Sequence, residues 1–180
     1  MTSDLVLRRA SEADAGAIAL AGAATFLETY AGILDGFDIV AHCEREHSPA
    51  RYLRWLQSAT ARVWAVETRH ASAMVGYMVG QVVDDNSDLP LADLRPTDFE
   101  IRRIYILSRF QGAGIGRALV ERAIADALSL GAGRILLGVH SRNERAIGFY
   151  ERLGFVTCGT RIFRIGSRDC DDKIMARWVP

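Results

Sequence analysis

The most informative stretch of the chain is Gln111-Gly112-Ala113-Gly114-Ile115-Gly116, which lies between a strand-like run and a helix-like run. Three glycines in six residues allow the backbone to turn tightly and to bring its N–H groups close to a ligand. The N-terminus of the following helix adds unpaired N–H donors and about half a positive charge. Arg109 and Arg117 flank the stretch and can add charge-assisted hydrogen bonds. The pattern therefore favours a site for a pyrophosphate.

Two common phosphate-binding motifs do not fit this loop. A dinucleotide fold needs G-x-G-x-x-G, but the third glycine position after Gly112 and Gly114 is occupied by Arg117. A P-loop ends in Gly-Lys-Ser/Thr, and the sequence contains no lysine followed by serine or threonine. The chain carries Q-x-x-G-x-G instead. The alternative interpretation is that the glycines only form a tight connection between a strand and a helix.

The elements around the loop predict the fold class. A strand over residues 100–107, a helix over 115–130 and a strand over 135–139 form a βαβ unit, which implies one parallel strand pair. Gly131 and Gly133 end the helix. A mixed sheet with helices on both faces follows, in a single domain over residues 1–180.

The other elements follow from hydrophobic period and from breakers. They are a strand at 5–8, a helix capped by Ser11 with Asp14 that runs to about Tyr30, a helical region over 37–56 broken at Pro49, strands at 63–66 and 74–79, an exposed loop over 84–98, a helix over 144–153, and antiparallel strands at 161–165 and 173–178.

Composition excludes several function classes. The chain has 180 residues and a mass of 19.8 kDa, which suits one domain. Lys and Arg number 22, as do Asp and Glu, so the basic excess of a nucleic-acid binder is lacking and no nucleic-acid partner is expected. The three cysteines show no C-x-x-C spacing, which suits a reducing compartment. No signal-peptide run and no apolar run of roughly 20 residues is seen, so we expect no membrane partner and a cytoplasmic location.

One histidine-rich stretch could suggest a metal. His42, Cys43 and His47 lie close in sequence. Their i, i+1, i+5 spacing does not place all three on one helical face, and no carboxylate–histidine pattern accompanies them. We therefore expect no metal.

Residues 111–116 match the motif Q/R-x-x-G-x-G/A of the GNAT superfamily of N-acetyltransferases, which use it to hold the pyrophosphate of acetyl-CoA. Ile104-Tyr105-Ile106 resembles the strand segment before that motif. The run N-E-R-A-I-G-F-Y-E-R-L-G-F from Asn143 to Phe155 resembles the family element N-x-x-A-x-x-F-Y-x-x-x-G-F. The resemblance covers most of the chain. It implies a mixed α/β fold whose central, mostly antiparallel sheet has one parallel strand pair splayed around CoA.

The same resemblance implies a branch and a set of cofactor-binding residues. Residues 25–30 and 166–175 look most like the bacterial spermine/spermidine N-acetyltransferase branch. Backbone groups of Ile104 and Ile106 would pair with the pantetheine arm, and Asn143 resembles a residue that bonds the pantetheine, with a helix N-cap as its alternative role. The residues implied to hold acetyl-CoA are Ile104, Tyr105, Ile106, Gln111, Gly112, Ala113, Gly114, Ile115, Gly116, Arg117, Asn143 and Tyr150.

Two residues are candidates for catalysis. Tyr150 matches the family tyrosine near the thioester sulfur, the general acid for the leaving thiolate; alternatively it is a half-buried aromatic whose hydroxyl bonds a backbone carbonyl. Glu100 is the candidate base, directly or through a water, because an alkylamine with a pKa of about 10.4 must lose a proton before it attacks. Its alternative is a solvated charge at a strand end, paired with Arg102 or Arg103.

Acidic clusters bear on the acceptor. A carboxylate-lined approach would attract a polyamine or a similar small cationic amine, although such clusters are also typical of solvated loops. The clusters are Asp84, Asp85, Asp88, Asp93, Asp98 and Glu100, and Asp169, Asp171 and Asp172. By resemblance only, Thr29 and Tyr30 border the acceptor site.

Three alternatives to a polyamine acetyltransferase stay open. The acceptor could be an amine of a protein or peptide, or of an aminoglycoside-like compound. In a different class, the chain could be a catalytically silent acyl-CoA-binding regulator, against which the intact Tyr150 argues. A homodimer is compatible with an exposed C-terminal strand pair.

Overall fold

The computed structural model describes residues 4–85, 87–112, 114–165 and 168–179. The strands are β1 (Leu5–Arg9), β2 (Ala61–Thr68), β3 (Met74–Val82), β4 (Phe99–Ile106), β5 (Arg134–His140), β6 (Val156–Ile165) and β7 (Arg168–Trp178). The α-helices are α1 (Ala15–Tyr30), α2 (Gly36–Glu46), α3 (Pro49–Gln57), α4 (Ile115–Ser129) and α5 (Glu144–Arg152). None of the helices within the described ranges has the length and apolar character needed to cross a membrane.

The strands form one sheet in the order β1-β2-β3-β4-β5-β7-β6. β4 and β5 pair in parallel, with Phe99 opposite Ile135 and Ile101 opposite Leu137. The pairs β1–β2, β5–β7 and β6–β7 are antiparallel. The mixed α/β class and the parallel pair predicted from the βαβ pattern are therefore confirmed.

The described chain divides into two compact units. The first contains residues 4–79 and 103–121, and the second contains residues 80–102 and 122–179. The single domain expected over residues 1–180 stays a prediction.

The first unit is built on α1, α2 and α3. Ser11 and Asp14 form the predicted capping box, in a short 3-10 helix that leads into α1. Pro49 opens α3 at its first turn, where a missing N–H costs nothing, so the break predicted at this proline is confirmed. A core cluster of the unit gathers buried side chains from α1, α3, β2 and β3, including Ile18, Trp55 and Val63.

The second unit contains the correction to the predicted loop over residues 84–98. This loop is not exposed throughout, because Leu89 and Asp98 are only 4% and 1% exposed. Leu89 packs in an apolar cluster with Leu136 of β5. Asp98 accepts hydrogen bonds from the buried guanidinium of Arg134 at 2.6 and 3.1 Å. Since a buried arginine needs a counter-charge, this pairing draws the end of the loop into the interior.

The C-terminal hairpin is longer than predicted. The pairing expected between residues 161–165 and 173–178 belongs to β6 and β7, whose register runs from Val156 opposite Ala176 to Ile165 opposite Arg168. β6 lies at the edge of the sheet, and Ile165 is its only buried residue, so the first half of the strand carries no hydrophobic pattern that predicts it.

Candidate functional site

The predicted phosphate-binding loop belongs to the first unit. Gly112 and Gly114 take φ angles of +85° and +78°, in the left-handed region that favours glycine. A Cβ built at either position meets no heavy atom within 4 Å, so the loop backbone is open to approach. Ile115 then begins α4, whose first turn supplies unpaired N–H groups. These features fit a diphosphate. Ala113 lies outside the described residues.

Hydrogen bonds connect the loop to β4, and the segment before the loop to β3. The amide Nε2 of Gln111 donates to the backbone carbonyl of Ile106 at 2.9 Å. The N–H of Leu107 donates to the carbonyl of Val75 at 2.9 Å. Gly116 lies in the first turn of α4, and Arg117 is exposed there. Gln111 therefore braces the loop through its side chain, a contact that the motif alone did not predict.

Tyr105 turns its ring into the first unit. Its ring centroid lies 5.6 Å from that of Tyr77 and 6.0 Å from that of His47. The roles of Ile104, Tyr105 and Ile106 in holding acetyl-CoA stay predictions.

Glu100 in the second unit is a buried carboxylate. It is 4% exposed, and its Oε2 accepts hydrogen bonds from Arg102 at 3.2 Å and from the Ser87 hydroxyl at 3.3 Å. Burial raises the pKa of Glu100; the charge of Arg102 opposes that shift and the charge of Asp88 adds to it. The interpretation of Glu100 as a solvated charge is therefore wrong, although its pairing with Arg102 is confirmed. A buried carboxylate with a raised pKa is the type of group that can act as a base.

Two further predicted residues lie in or beside α5. Tyr150 is 7% exposed, and its ring centroid lies 5.1 Å from that of Phe149 and 5.7 Å from that of Phe155. The side-chain oxygen of Asn143 accepts from the N–H of Ala146 at 3.0 Å, which confirms its role as a helix N-cap. The acid role of Tyr150 and the ligand role of Asn143 stay predictions.

Arginines pair with many of the acidic residues in the second unit. Arg161 contacts Asp88 at 2.5 Å and Asp172 at 2.9 Å. Arg134 contacts Asp93 at 2.7 Å as well as Asp98. These four carboxylates are thus members of ion pairs, and the arginines neutralise part of their charge. The Asp88 and Asp93 side chains nevertheless stay 56% and 62% exposed.

Comparison with known proteins gives the family. Residues 30–155 match the model of the acetyltransferase (GNAT) family. The chain is 30% identical over 164 residues to an uncharacterized N-acetyltransferase of Mycobacterium tuberculosis strain H37Rv, covering 91% of this chain and 97% of the relative. This chain is a GNAT-family N-acetyltransferase. A mycothiol acetyltransferase of Propionibacterium freudenreichii is 30% identical over 141 residues, covering 72% of this acetyltransferase and 42% of the relative.

Solved acetyltransferases share the fold. The PaiA N-acetyltransferase of Thermoplasma acidophilum, crystallised with coenzyme A, superposes with a TM-score of 0.72 at 17% identity, covering 97% of this chain and 98% of that one. The spermidine/spermine N-acetyltransferase SpeG of Vibrio cholerae gives 0.66 at 22% identity, covering 98% and 94%. These structures show the shared fold, and membership of the acetyltransferase (GNAT) family gives acetyl-CoA as the co-substrate. No group of three or more His, Cys, Asp or Glu residues within the described ranges is placed to hold a metal ion.

The residues predicted to border the acceptor site lie at the end of α1. The Thr29 hydroxyl donates to the carbonyl of Thr25 at 2.8 Å, one helical turn earlier. The Tyr30 ring packs against Phe26 with centroids 4.5 Å apart. The acceptor role of Thr29 and Tyr30 stays a prediction.

The acetyltransferase also contains a buried polar network in its first unit that sequence reasoning missed. The Tyr52 hydroxyl lies 2.7 Å from Nδ1 of His47 and 2.5 Å from the Tyr77 hydroxyl. Arg103 donates to the Tyr52 hydroxyl and to the Glu46 carboxylate, at 2.9 Å each. Only the alternation of Arg103 and Tyr105 along β4 could have indicated that both point to one face.

The histidines near this network are neutral and structural. Burial lowers the pKa of His47 to about 3, and the positive charge of Arg103 adds to the shift. Burial lowers the pKa of His42 to about 4, and its ring stacks on Phe26 with centroids 4.0 Å apart. Both rings are therefore buried, uncharged side chains of the first unit.

Proposed function

We propose that this acetyltransferase transfers the acetyl group of acetyl-CoA to a primary amine of a small cationic molecule, of the polyamine class, by direct attack in a ternary complex. The observation that carries the mechanism is the buried Glu100, a carboxylate with a raised pKa on the strand that leads into the glycine loop.

The chain's own backbone binds the donor. The N–H groups over residues 111–116 and the first turn of α4 hold the diphosphate, which the open, left-handed Gly112 and Gly114 make possible. Backbone groups of Ile104 and Ile106 align the pantetheine arm, as an added strand would be aligned. Bound acetyl-CoA supplies an activated thioester.

Glu100 takes the proton of the acceptor, directly or through a water. A free alkylamine has a pKa of about 10.4 and is mostly protonated at neutral pH, so its attack requires loss of that proton. A carboxylate whose pKa is raised is a stronger base than a solvated one. The guanidinium of Arg102, 3.2 Å from the Glu100 carboxylate, opposes this rise in the pKa of Glu100.

Tyr150 gives a proton to the leaving thiolate. A phenol has an ordinary pKa of about 10, and the thiol that forms has a pKa of about 8.5. Proton transfer from the phenol to the thiolate therefore costs only a small free energy. The buried setting of Tyr150 favours transfer within the site over exchange with bulk water.

Electrostatics supports a cationic acceptor. Asp85 is exposed, and Asp88 and Asp93 keep most of their side-chain surface in water although each pairs with an arginine. Exposed carboxylates concentrate a polycation near the surface of the second unit. The fold is shared with a spermidine/spermine acetyltransferase, which supports the same class of acceptor.

The test is release of free thiol from acetyl-CoA with spermidine, an aminoglycoside and a lysine-containing peptide. We expect the highest kcat/KM with spermidine, and a KM for it that rises with salt because exposed charges are screened. Preference for the peptide or the aminoglycoside would replace the proposed acceptor. Coenzyme A binding without thiol release from any amine would indicate a silent regulator.

Variants test the two catalytic roles. Tyr150→Phe should lower kcat by about a hundredfold or more, and Glu100→Gln should remove the acidic limb of the pH profile of kcat/KM. Glu144→Gln, an exposed change on the same helix as Tyr150, is the matched control and should leave kcat unchanged. An unchanged kcat in Tyr150→Phe, when chemistry limits the rate, would remove the tyrosine from the mechanism.

A further inference from the structure

The turn that precedes the phosphate-binding loop is held by a side chain from a distant part of the sequence. Glu28, near the end of α1, accepts a hydrogen bond from the backbone N–H of Ser108 at 3.1 Å and another from the Ser108 hydroxyl at 3.1 Å. Ser108 begins the short 3-10 helix Ser108–Phe110, which directly precedes Gln111. The carboxylate therefore satisfies the N–H that opens this turn.

Ser108 is also hydrogen-bonded to the first residue of the loop. Its backbone carbonyl accepts from the N–H of Gln111 at 3.1 Å. The Gln111 side chain in turn donates to the carbonyl of Ile106 at 2.9 Å. A continuous set of hydrogen bonds thus runs from Glu28 through Ser108 to the first residue of the loop.

The helix that carries Glu28 is held in place by the core. α1 runs from Ala15 to Tyr30, and Phe26 on its last turns is 3% exposed. Glu28 is exposed itself, but it projects from a helix that the core holds in place. A loop whose stem is fixed before binding loses less conformational entropy when it takes up a ligand.

We infer that Glu28 is a positioning residue for the diphosphate-binding loop, an inference that rests on the proposed function of residues 111–116. It touches neither the reacting atoms nor the acceptor amine. Its carboxylate holds the stem so that the loop N–H groups point at the diphosphate. Loss of these bonds weakens binding of acetyl-CoA and leaves the chemical step as it was.

The sign of the effect separates positioning from simple electrostatics. Glu28→Gln removes a negative charge close to a site for an anion, and charge alone would tighten the binding of coenzyme A. Positioning predicts the opposite. Two hydrogen bonds to a carboxylate are lost or weakened, which at an exposed site corresponds to about a fivefold to tenfold rise in the Kd for coenzyme A.

The experiment compares Glu28→Gln and Ser108→Ala with Glu44→Gln, an exposed carboxylate change on α2. Calorimetry gives the Kd for coenzyme A, and steady-state assays give KM and kcat with acetyl-CoA and with acetyl-pantetheine, which lacks the diphosphate. We expect Glu28→Gln to raise the Kd for coenzyme A and the KM for acetyl-CoA. Its kcat, and its kcat/KM for acetyl-pantetheine, should stay within about twofold of wild type, and its thermal midpoint should be unchanged. Glu44→Gln should match wild type throughout.

Two results would overturn the inference. One is a Kd of Glu28→Gln that equals or falls below that of wild type. The other is an equal loss of kcat/KM with acetyl-pantetheine, which would mean a general structural effect. Failure of the wild-type protein to bind coenzyme A would instead remove the proposed function of the loop, so the two failures are distinguishable.

Discussion

Acidification should destabilise the folded chain through His42 and His47. These side chains are only 6% and 5% exposed, and both have lowered pKa values in the folded state, of about 4 and about 3. In the unfolded chain a histidine titrates near its ordinary pKa of about 6.5. The stabilising contribution of a neutral, buried histidine is therefore complete above that value and is lost as the pH falls toward the folded-state pKa.

The magnitude follows from the gap between the two states. At about pH 5 an unfolded histidine is mostly protonated, whereas a folded histidine with a pKa of 4 or below stays mostly neutral. Each residue then lowers the free energy of unfolding by about 2 kcal/mol relative to neutral pH, and the pair by about 4 kcal/mol. The result is insensitive to the folded pKa values as long as both lie below the measurement pH.

Urea denaturation at about pH 7.5 and about pH 5 measures this loss. The variant His42→Phe keeps an aromatic ring to stack on Phe26, and His47→Gln keeps an acceptor for the Tyr52 hydroxyl. The double variant should lose about 4 kcal/mol less than wild type between the two pH values. His70→Gln, a change at an exposed turn, should behave as wild type.

The carboxylate of Glu46 acts in a lower pH window than the two histidines. Burial works to raise the pKa of Glu46, but the hydrogen bond from Arg45 and the charges of Arg51 and Arg103 outweigh it, so the net pKa is lowered. The contribution of Glu46 is therefore present above its ordinary pKa of about 4.5 and is lost below that value. A double histidine variant that loses as much stability as wild type by about pH 5 would refute the reasoning.

Three further changes test the packing and the loop. Asp98→Ala leaves the buried guanidinium of Arg134 without one of its counter-charges, and should lower the free energy of unfolding measured in urea by about 3–5 kcal/mol. The Asp93 side chain is 62% exposed, so Asp93→Ala should lower it by less than about 1 kcal/mol. Gly22→Ala would place a Cβ 2.6 Å from the hydroxyl oxygen of the buried Tyr52 and should lower the thermal midpoint. A Cβ at Gly16 meets no atom within 4 Å, so Gly16→Ala should raise the free energy of unfolding by about 0.5–1 kcal/mol. Gly114→Ala forces a side chain into the left-handed region and should raise the Kd for coenzyme A about tenfold in calorimetry; an unchanged Kd would show that the loop backbone does not bind the diphosphate.

Much of the fold was predictable because its signals are local. The capping residues Ser11 and Asp14, the break at Pro49 and the glycine loop before α4 act over a few residues, and each lies where the sequence predicted it. The family assignment rested on the same kind of signal, since the order and spacing of its motifs are properties of the sequence. Asn143 as a helix cap belongs with these features, because its partner Ala146 is three residues away.

The sequence could not show which charges become buried or paired. Asp98 looked like one more loop carboxylate until Arg134, 36 residues later, removed it from water. Sequence reasoning assigned His47 no role beyond excluding it as a metal ligand, whereas the structure places its ring beside Tyr52 and Arg103 in the interior.

The amino-acid sequence by itself determined the order of helices and strands, the parallel pair and the open glycine loop, because short-range sterics and hydrophobic period act between near neighbours. Tertiary structure alone decided that Glu100 is buried, that Arg103 meets Glu46 across 57 positions, and that Glu28 holds Ser108 across 80. The burial and partners of a charged group depend on which segments the fold brings together, and that information is not present in any local stretch of the chain.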